Sequence, residues 1–360
     1  MKSPLLMNPG PVTLSERVRN ALLRPDLCHR EPEFSELQQR IRNNLLQVYD
    51  LEHSDWATIL LTGSGTSAVE AMISSLVPVN GHVLVIENGV YGERISRIAD
   101  IYRIQYTRMH HDWGAEINLD EFRSLLDKNN FTHVLLVHHE TTTGRLNDLP
   151  AVADICNRLN IPLMVDGVSS YGAEELDFGK WNIAACAATA NKCLHGVPAI
   201  SFVVCRRSAL AEVDGMPARN LYLNLANYLK QQDAGSTPFT QSVQGFYALD
   251  EAIDEFMDNG GWRERQKLYR ERMQIVRTGM ENYSIVPLLD DNVSSCVLNS
   301  FFLPANTDYP ALHDHLKENG FVIYAGQGEL AKKIFRVSVM GEITMDDLRR
   351  FVTVIGKNIT

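Results

Sequence analysis

Six short apolar runs, separated by helical patterns and loops, lie between residues 58 and 204 of this 360-residue chain. Each run is rich in leucine or β-branched residues, and several are apolar on both faces, which is typical of strands buried between two helix layers. Spacings of roughly 15–40 residues favour a mainly parallel sheet in an α/β fold. The predicted strands are Thr58–Leu61, Val83–Ile86, Val134–Val137, Pro162–Val165, Ile183–Cys186 and Ile200–Val204.

The pattern changes on either side of this region, which indicates further parts of the fold. Pro4, Pro9 and Pro11 exclude helix from the first fifteen residues, and helical spacing follows from Ser15 to Tyr49. After Gly245 a long helical stretch, broken near residue 260, leads into a smaller α+β region. We therefore predict an N-terminal arm over residues 1–15, a large domain over 16–250 and a small C-terminal domain over 251–360.

Composition limits the function classes. The formal net charge is −10, from 34 basic and 44 acidic residues, and no basic tail is present. This argues against bulk binding of nucleic acid or anionic membranes. No apolar run approaches the ~18 residues that span a bilayer. The six cysteines form no C-x-x-C pair, so we expect reduced, mostly buried thiols. The histidines form no H-x-x-x-H or H-E-x-x-H pattern, so we expect no dedicated metal site. The N-terminal segment has too short an apolar core for a signal peptide, so we expect a cytoplasmic protein.

A glycine-rich turn follows the first predicted strand, with the sequence Gly-Ser-Gly-Thr-Ser-Ala at residues 63–68. Glycines admit a ligand close to the backbone, and the free N–H groups of the following helix favour an anion such as phosphate. The string also matches the G-x-G-x-x-A dinucleotide fingerprint, and Glu87 ends the next strand where a ribose-binding acid is expected. A plain turn and an NAD-dependent oxidoreductase therefore remain open alternatives.

Two further residues narrow the choice. Asp166 ends a predicted core strand, and Lys192 lies 26 residues later between two apolar stretches, followed by a glycine turn. Taken alone, Asp166 could be a turn cap and Lys192 a surface residue. Together with the anion-binding turn they supply what pyridoxal phosphate requires, namely a phosphate site, a carboxylate for the pyridine nitrogen and an amine for the aldehyde. A dinucleotide enzyme would leave both residues unexplained.

The sequence resembles the class V aminotransferases of fold type I over nearly its whole length. Within that family it is most similar to the 2-aminoethylphosphonate–pyruvate aminotransferases. The resemblance implies a homodimer that binds pyridoxal phosphate, with a large domain built on a mainly parallel seven-stranded sheet and a smaller C-terminal α+β domain. It rests on six motifs: Asn8–Pro11, Gly63–Glu70, Asn88–Arg94, His139–Gly144, Val165–Asp166 and Ala190–Pro198.

The resemblance also implies residue roles. Lys192 would carry the cofactor through its amine and then move the proton at the reacting carbons, and Asp166 would pair with the pyridinium nitrogen. Tyr91 would stack on the ring, Val168 would pack on its other face, and Thr142 would approach its phenolic oxygen. The residues implied at the phosphate are Ser64, Gly65, Thr66 and Asn191, with Thr240 reaching the phosphate of the neighbouring subunit.

Two arginines are candidates for the anionic end of the substrate. Arg336 lies in a short apolar run, where a surface charge is poorly placed, and its planar fork suits a carboxylate or a phosphonate. The alternative is a buried ion pair. The resemblance adds Arg30, for which a structural role at the start of a helix is the alternative. We expect transamination between 2-aminoethylphosphonate and pyruvate, with alanine– or serine–glyoxylate transamination, or another aminophosphonate donor, as alternatives.

Overall fold

The computed structural model describes residues 4–304 and 307–359, so residues 1–3 of the predicted arm lie outside it. The strands up to residue 206 are β1 (Leu5–Leu6), β2 (Trp56–Thr62), β3 (His82–Glu87), β4 (Gln105–His110), β5 (His133–Val137), β6 (His139–Glu140), β7 (Arg145–Leu146), β8 (Leu163–Asp166), β9 (Ile183–Thr189) and β10 (Ile200–Arg206). The helices up to residue 258 are α1 (Glu16–Ala21), α2 (Pro32–Gln47), α3 (Gly65–Leu76), α4 (Val90–Ile101), α5 (Leu119–Lys128), α6 (Leu149–Arg158), α7 (Arg207–Ala211), α8 (Leu225–Asp233) and α9 (Val243–Asp258).

A seven-stranded sheet in the order β2-β10-β9-β8-β5-β3-β4 forms the centre of the region between residues 56 and 206. Strand β10 is antiparallel to both of its neighbours, and the other neighbouring pairs are parallel. All six predicted strands are found in it, and the predicted mainly parallel sheet is confirmed. The seventh strand, β4, was missed because it is an edge strand whose residues are mostly exposed or half-buried, so it lacks an apolar run.

Apolar side chains cover both faces of this sheet. Leu60 and Leu136 belong to one buried cluster, which includes residues of α2, α6 and α9. Their neighbours Ile59 and Leu135 point to the other face and pack in a second cluster with residues of α3 and α4. This two-sided burial explains why the strands read as continuous apolar runs in the sequence.

The C-terminal region has a separate small sheet and its own core. Its elements are α10 (Gly261–Asn282), β11 (Leu298–Phe302), α11 (Tyr309–Glu318), β12 (Phe321–Val322), β13 (Tyr324–Ala325), β14 (Ile334–Ser338) and α12 (Met345–Ile359), with 3₁₀ turns at Asp291–Val293 and Gly328–Leu330. Strands β11, β14 and β13 form an antiparallel sheet. The apolar segment 321–325 forms two short strands rather than one, because β12 pairs with β1 and only β13 joins β14.

The N-terminal arm packs on this C-terminal core. Met7 and Val12 are buried in the same cluster as Phe321 and Val337, and the carbonyl of Met7 accepts a hydrogen bond from Ser338 N at 2.8 Å. The arm continues into α1, where Ser15 caps the helix by accepting a hydrogen bond from Val18 N. The predicted helical stretch from Ser15 to Tyr49 is interrupted, with α2 beginning at Pro32. Within the described ranges no helix is long and apolar enough to cross a membrane.

Candidate active site

Parallel strands place the predicted functional segments at one edge of the large sheet. Strands β2, β3, β5, β8 and β9 run in the same direction, so their carboxyl ends meet there. The turn at Gly63 leaves the end of β2, Asp166 is the last residue of β8, and Lys192 follows β9 by three residues. This is the edge at which open α/β folds bind their ligands.

The glycine-rich turn leads directly into α3. Ser64 is the N-cap residue, and its side chain makes no capping hydrogen bond, so its hydroxyl is left for a ligand. Ser67 N donates to the carbonyl of Ser64 at 2.8 Å, which leaves the N–H groups of Gly65 and Thr66 at the helix start to face an anion. Gly65 is buried so closely against Val168 that a Cβ there would lie 2.7 Å from Val168 Cγ1. Thr66 Oγ1 accepts a hydrogen bond from Arg94 Nη1 at 3.2 Å, which adds a cation to this anion site.

Asp166 is buried, with 6% of its surface exposed. Its Oδ1 accepts a hydrogen bond from Val168 N at 3.0 Å, and its backbone carbonyl accepts one from His138 N. Burial raises the pKa of Asp166 to about 6, while the Val168 N–H and the charges of Arg94 and Lys192 act in the opposite direction. The carboxylate is therefore held in place and remains largely ionised at pH 7.

Lys192 is half-buried in a turn closed by a hydrogen bond from His195 N to its carbonyl. Desolvation lowers the pKa of its amine, as expected for a lysine that must lose its proton to react. The charges of Asp166 and Arg336 also act on this amine, so all three groups lie within electrostatic range. Asn191 accepts a hydrogen bond from Thr189 Oγ1 at 2.8 Å, which fixes its side chain beside the lysine.

Tyr91 lies in the first turn of α4. The guanidinium of Arg94 is stacked on its ring, 4.6 Å from the ring centroid. Tyr91 acts to raise the pKa of both Lys192 and Arg336 against the effect of burial, so its phenol lies within electrostatic range of both groups. Arg94 was not singled out in the sequence, although it stands in the motif that contains Tyr91.

The hydroxyl predicted at Thr142 is already engaged. Thr142 Oγ1 donates to Glu140 Oε1 at 2.5 Å and accepts from Val90 N at 3.0 Å. The neighbouring Thr141 has a buried hydroxyl that lacks a partner among the described residues. Thr141 is therefore the threonine with an unused hydroxyl, and three consecutive threonines gave the sequence no means of choosing between them.

Arg336 is 4% exposed and lies on β14. Its Nε donates to the carbonyl of Ala325 and its Nη1 to the carbonyl of Thr141, each at 2.9 Å. In the described part of the chain it forms no ion pair with a carboxylate, which argues against the buried ion pair considered above. Burial lowers the pKa of this guanidinium, so a charge here needs an anion to offset its desolvation.

Two predicted residues lie apart from this group. Thr240 is exposed. Arg30 donates from Nη1 to the carbonyl of Thr237 and, at 3.4 Å, to Ser236 Oγ. Arg30 thus belongs with the segment that carries Thr240 and is tied to the chain just before α9. Its role in binding substrate, and that of Thr240 in a neighbouring subunit, stay predictions.

Glu87, the acid that a dinucleotide enzyme would need for ribose, is not available. It is fully buried, and Arg108 Nε and Nη2 donate to its carboxylate at 2.8–3.1 Å. Ser96 Oγ donates to the same carboxylate. These partners occupy the carboxylate of Glu87 and tie it to α4 through Ser96, so it is not free to bind a ribose. The main support for the NAD alternative is thereby removed.

The assembled residues fit pyridoxal phosphate. Asp166, the amine of Lys192 and the start of α3 lie at one edge of the sheet, and they match the ring nitrogen, the aldehyde and the phosphate of the cofactor. The buried hydroxyl of Thr141 has no partner among the described residues and is available to a polar ligand. A side chain at Gly65 would fill the space beside Val168. The residues that would hold the group are therefore Asp166, Val168, Lys192, Asn191, Tyr91, Ser64, Gly65 and Thr66.

Comparison with known proteins agrees with this fit. The family profile described as "Aminotransferase class-V" matches residues 17–351. A 2-aminoethylphosphonate–pyruvate transaminase of Bacteroides fragilis is 33% identical over 360 residues, which cover 99% of this chain and 99% of the relative. One of Vibrio vulnificus is 34% identical, covering 98% of this chain and 97% of the relative.

Solved structures show the same fold. The alanine–glyoxylate aminotransferase from Nostoc sp. has a TM-score of 0.93 at 24% identity, covering 100% of this chain and 96% of that one. The subgroup IV aspartate aminotransferase from Thermus thermophilus has a TM-score of 0.89 at 27% identity, covering 99% of each chain. On the family match over residues 17–351 and the two transaminase relatives above 30% identity, the chain belongs to the class V aminotransferases, a family that depends on pyridoxal phosphate.

Proposed function

We propose that this protein transfers the amino group of 2-aminoethylphosphonate to pyruvate, giving phosphonoacetaldehyde and L-alanine. Relatives that bear this activity in their names match the chain over nearly its full length. The observation that carries the proposal is Arg336, a buried guanidinium held by two carbonyls and by no carboxylate of the described chain. Such a cation suits a substrate with an anionic end, and its fork fits either a phosphonate or a carboxylate.

One anion site serves both half-reactions in this scheme. Arg336 would first bind the phosphonate of the donor and then the carboxylate of pyruvate. Besides burial, the charge of Arg336 contributes to lowering the pKa of the Lys192 amine, so the two cations lie within electrostatic range of each other. In this scheme, an amine bound to Arg336 through its anion directs its nitrogen toward the lysine. The reaction is therefore ping-pong, with one substrate leaving before the next enters.

The chemistry is divided between the cofactor and the chain. When bound, pyridoxal phosphate supplies an aldehyde for the substrate amine and a ring that takes up the electron pair released at Cα. Lys192, whose lowered pKa favours the neutral amine, is the base that removes the proton from Cα and later returns a proton. The ionised carboxylate of Asp166 accepts the hydrogen bond of the ring nitrogen and keeps that nitrogen protonated.

A spectroscopic titration tests the proposal. The purified holoenzyme is mixed with 2-aminoethylphosphonate without an acceptor, and the absorbance of the lysine-bound cofactor is followed. We expect conversion to the amine form of the cofactor and its reversal by pyruvate. Lys192→Ala should abolish turnover. A spectrum that stays unchanged with 2-aminoethylphosphonate, but changes with alanine or serine and is restored by glyoxylate, would be the opposite result. It would contradict the proposed activity and support the glyoxylate alternative within the same family.

We further propose a cytoplasmic homodimer with shared active sites. Exposed apolar residues lie near the anion-binding turn: Leu221 is 78% exposed, and Tyr222 is 44% exposed and packs on Phe239 at 4.9 Å between ring centroids. Tyr222 Oη lies 3.5 Å from the carbonyl of Thr62, which precedes that turn. A second subunit covering this patch would bring Thr240 to a neighbouring phosphate. All six cysteines are free thiols, which suits a reducing compartment.

Subunit mixing tests the shared site. Lys192→Ala removes the lysine of its own site, and Thr240→Glu places a negative charge at the partner's proposed phosphate site. Unfolding and refolding equal amounts of the two inactive variants together makes about half of the dimers mixed. In each mixed dimer one of the two sites has both its lysine and its Thr240 intact. Activity of about a quarter of the wild type would support sharing. No recovery from such a mixture, with dimers present, would contradict it.

A further inference from the structure

Glu140 is a fully buried carboxylate at the edge of the active site. It ends the short strand β6, and its two oxygens accept four hydrogen bonds. Oε2 accepts from the backbone N–H groups of Tyr91 and Gly92, each at 3.2 Å. Oε1 accepts from Thr142 N at 3.1 Å and from Thr142 Oγ1 at 2.5 Å. One side chain therefore joins the first turn of α4 to the threonine loop.

Both sides of this junction belong to the active site. The bonds to Oε2 fix the backbone of Tyr91, the residue placed to stack on the cofactor. The bonds to Oε1 fold the threonine loop around Thr141, whose carbonyl accepts the Nη1 hydrogen bond of Arg336. Thr142 Oγ1 also accepts from Val90 N, which adds a second link between the loop and α4.

The hydrogen-bond pattern fits an ionised carboxylate. All four partners donate, and a carboxylate is an acceptor only. Its negative charge also lies at the N-terminus of α4, where the helix dipole favours an anion. Burial raises the pKa of Glu140 to about 7, and the donors at Thr142 and Gly92 oppose this shift. No cation of the described chain forms an ion pair with it, so the hydrogen bonds replace its lost hydration.

The absence of a side chain at Gly89 allows Glu140 to approach the start of α4. Gly89 has an extended backbone with φ 175°, so it is not required for its conformation. A Cβ at residue 89 would lie 2.3 Å from Glu140 Cδ. The glycine therefore serves to let the carboxylate reach the start of α4.

We propose that Glu140 is a positioning residue that sets Tyr91 and Arg336 together, so that one buried carboxylate controls both cofactor affinity and recognition of the substrate's anion. The inference rests on the active site proposed above, but not on which amine is the donor. A purely structural carboxylate would stabilise the fold without changing either property selectively. The two views differ in what happens to the bound cofactor when the carboxylate is removed.

Glu140→Gln tests this with Glu87→Gln as its matched control. An amide in place of Glu140 must turn its NH₂ group toward one of the two sides. Turned toward α4, it loses the bonds from Tyr91 N and Gly92 N; turned toward the threonine loop, it loses the bond from Thr142 N, while the Thr142 hydroxyl can rotate to accept. Glu87 is also fully buried and holds the same helix through Ser96, but its carboxylate does not contact the Tyr91 backbone. Both substitutions are expected to lower thermal stability.

Only Glu140→Gln should change the active site. We expect its dissociation constant for pyridoxal phosphate, measured by absorbance titration, to rise about 10-fold, since a buried N–H left without its acceptor is worth about one decade in an equilibrium constant. The visible circular dichroism of the bound cofactor should change, and KM for the amine donor should rise more than kcat falls. Equal loss of stability in both variants, with wild-type affinity and dichroism in Glu140→Gln, would overturn the proposal.

A second pair keeps the test decisive if Glu140→Gln does not fold. Thr142→Val removes one of the four hydrogen bonds to Glu140 together with the link to Val90 N, whereas Thr142→Ser keeps the hydroxyl. The valine variant should shift cofactor affinity and dichroism in the same direction by a smaller amount, and serine should restore both. Wild-type values in the valine variant would contradict the proposal. Because cofactor binding needs no donor, these outcomes are independent of failure of 2-aminoethylphosphonate as substrate.

Discussion

Gly10 lies directly against the side chain of Lys192. A Cβ at residue 10 would be 3.1 Å from Lys192 Cδ and 3.2 Å from Cε, and 3.4 Å from Asn191 Nδ2. The N-terminal arm, which packs on the C-terminal core, thus also forms a wall beside the reactive amine. The Asn8–Pro11 motif that marked the family resemblance has this physical reason to contain glycine, strengthened by a φ of +123° at Gly10.

Gly10→Ala should therefore impair catalysis by displacing the lysine. The new methyl group would press on the side chain of Lys192, and the alanine would have to adopt a positive φ, which its side chain disfavours. We expect kcat to fall by about 10- to 100-fold, since small displacements of reacting groups have effects of this size. Gly215→Ala is the control, because Gly215 also has a positive φ, +74°, yet a Cβ there would meet nothing within 4 Å. Equal kcat values in the two variants would contradict the contact's importance.

Asp166 should lower the stability of the chain freed of its cofactor. Burial raises its pKa to about 6, above the ordinary aspartate value of about 3.9. The folded state then binds more protons than the unfolded state between these two values, so the free energy of unfolding falls as pH rises through the window. The full penalty, about 3 kcal/mol, applies above pH 7 and disappears below about pH 4.

Denaturation of the cofactor-free Asp166→Asn variant measures this penalty. The variant should unfold at higher denaturant than the wild type at pH 8, and the difference should vanish towards pH 4. Asp177→Asn should show the opposite sign, because hydrogen bonds from Lys180 lower the pKa of Asp177 against the effect of its burial. A difference for Asp166→Asn that does not vary with pH would exclude its titration as the cause. In the holoenzyme the same substitution should reduce turnover by several orders of magnitude.

Arg336 should determine anion recognition without adding to stability. It is buried and bonded only to carbonyls in the described chain, so its desolvation is only partly offset before substrate binds. Arg336→Met should lower kcat/KM for 2-aminoethylphosphonate by more than about 100-fold while the melting temperature is unchanged or higher. Arg336→Lys keeps a charge but loses the planar fork, so its loss should be smaller.

Ethylamine provides the control for Arg336, since it has the donor's carbon chain and amine but no phosphonate. Without an acceptor, the rate at which ethylamine converts the cofactor to its amine form should be slow and equal in the wild type and in Arg336→Met. If Arg336→Met slowed ethylamine as strongly as 2-aminoethylphosphonate, Arg336 would act on the chemistry or the fold rather than on the anion.

The sequence predicted the buried parts of the fold more successfully than the exposed parts. Strands β2, β3, β5, β8, β9 and β10 are apolar on both faces, so periodicity and composition identify them. Edge strand β4 has no such signal. Asp166 and Lys192 were recognised because charged residues at the ends of apolar runs need an explanation, and parallel strands bring such ends together.

The contacts that organise the site could not be predicted, because they join distant segments. Glu140 reaches α4 across 49 residues of sequence, and Gly10 meets a lysine 182 positions later. The choice between Thr141 and Thr142 depends on which hydroxyl Glu140 occupies. No local sequence pattern encodes these contacts. The role predicted for Thr240, binding the phosphate of the neighbouring subunit, needs a second chain.

Gly65→Ala should weaken cofactor binding through Val168. A Cβ at residue 65 would lie 2.7 Å from Val168 Cγ1, so the valine that should pack on the cofactor ring must move. Gly279→Ala is a matched control, because its Cβ would lie 2.4 Å from Val352 Cγ1, in the C-terminal core. Overpacking of this kind costs about 1–3 kcal/mol, so both variants should lose stability. Only Gly65→Ala should raise the dissociation constant for pyridoxal phosphate in an absorbance titration, and a similar rise in Gly279→Ala would show that general destabilisation is sufficient to weaken binding.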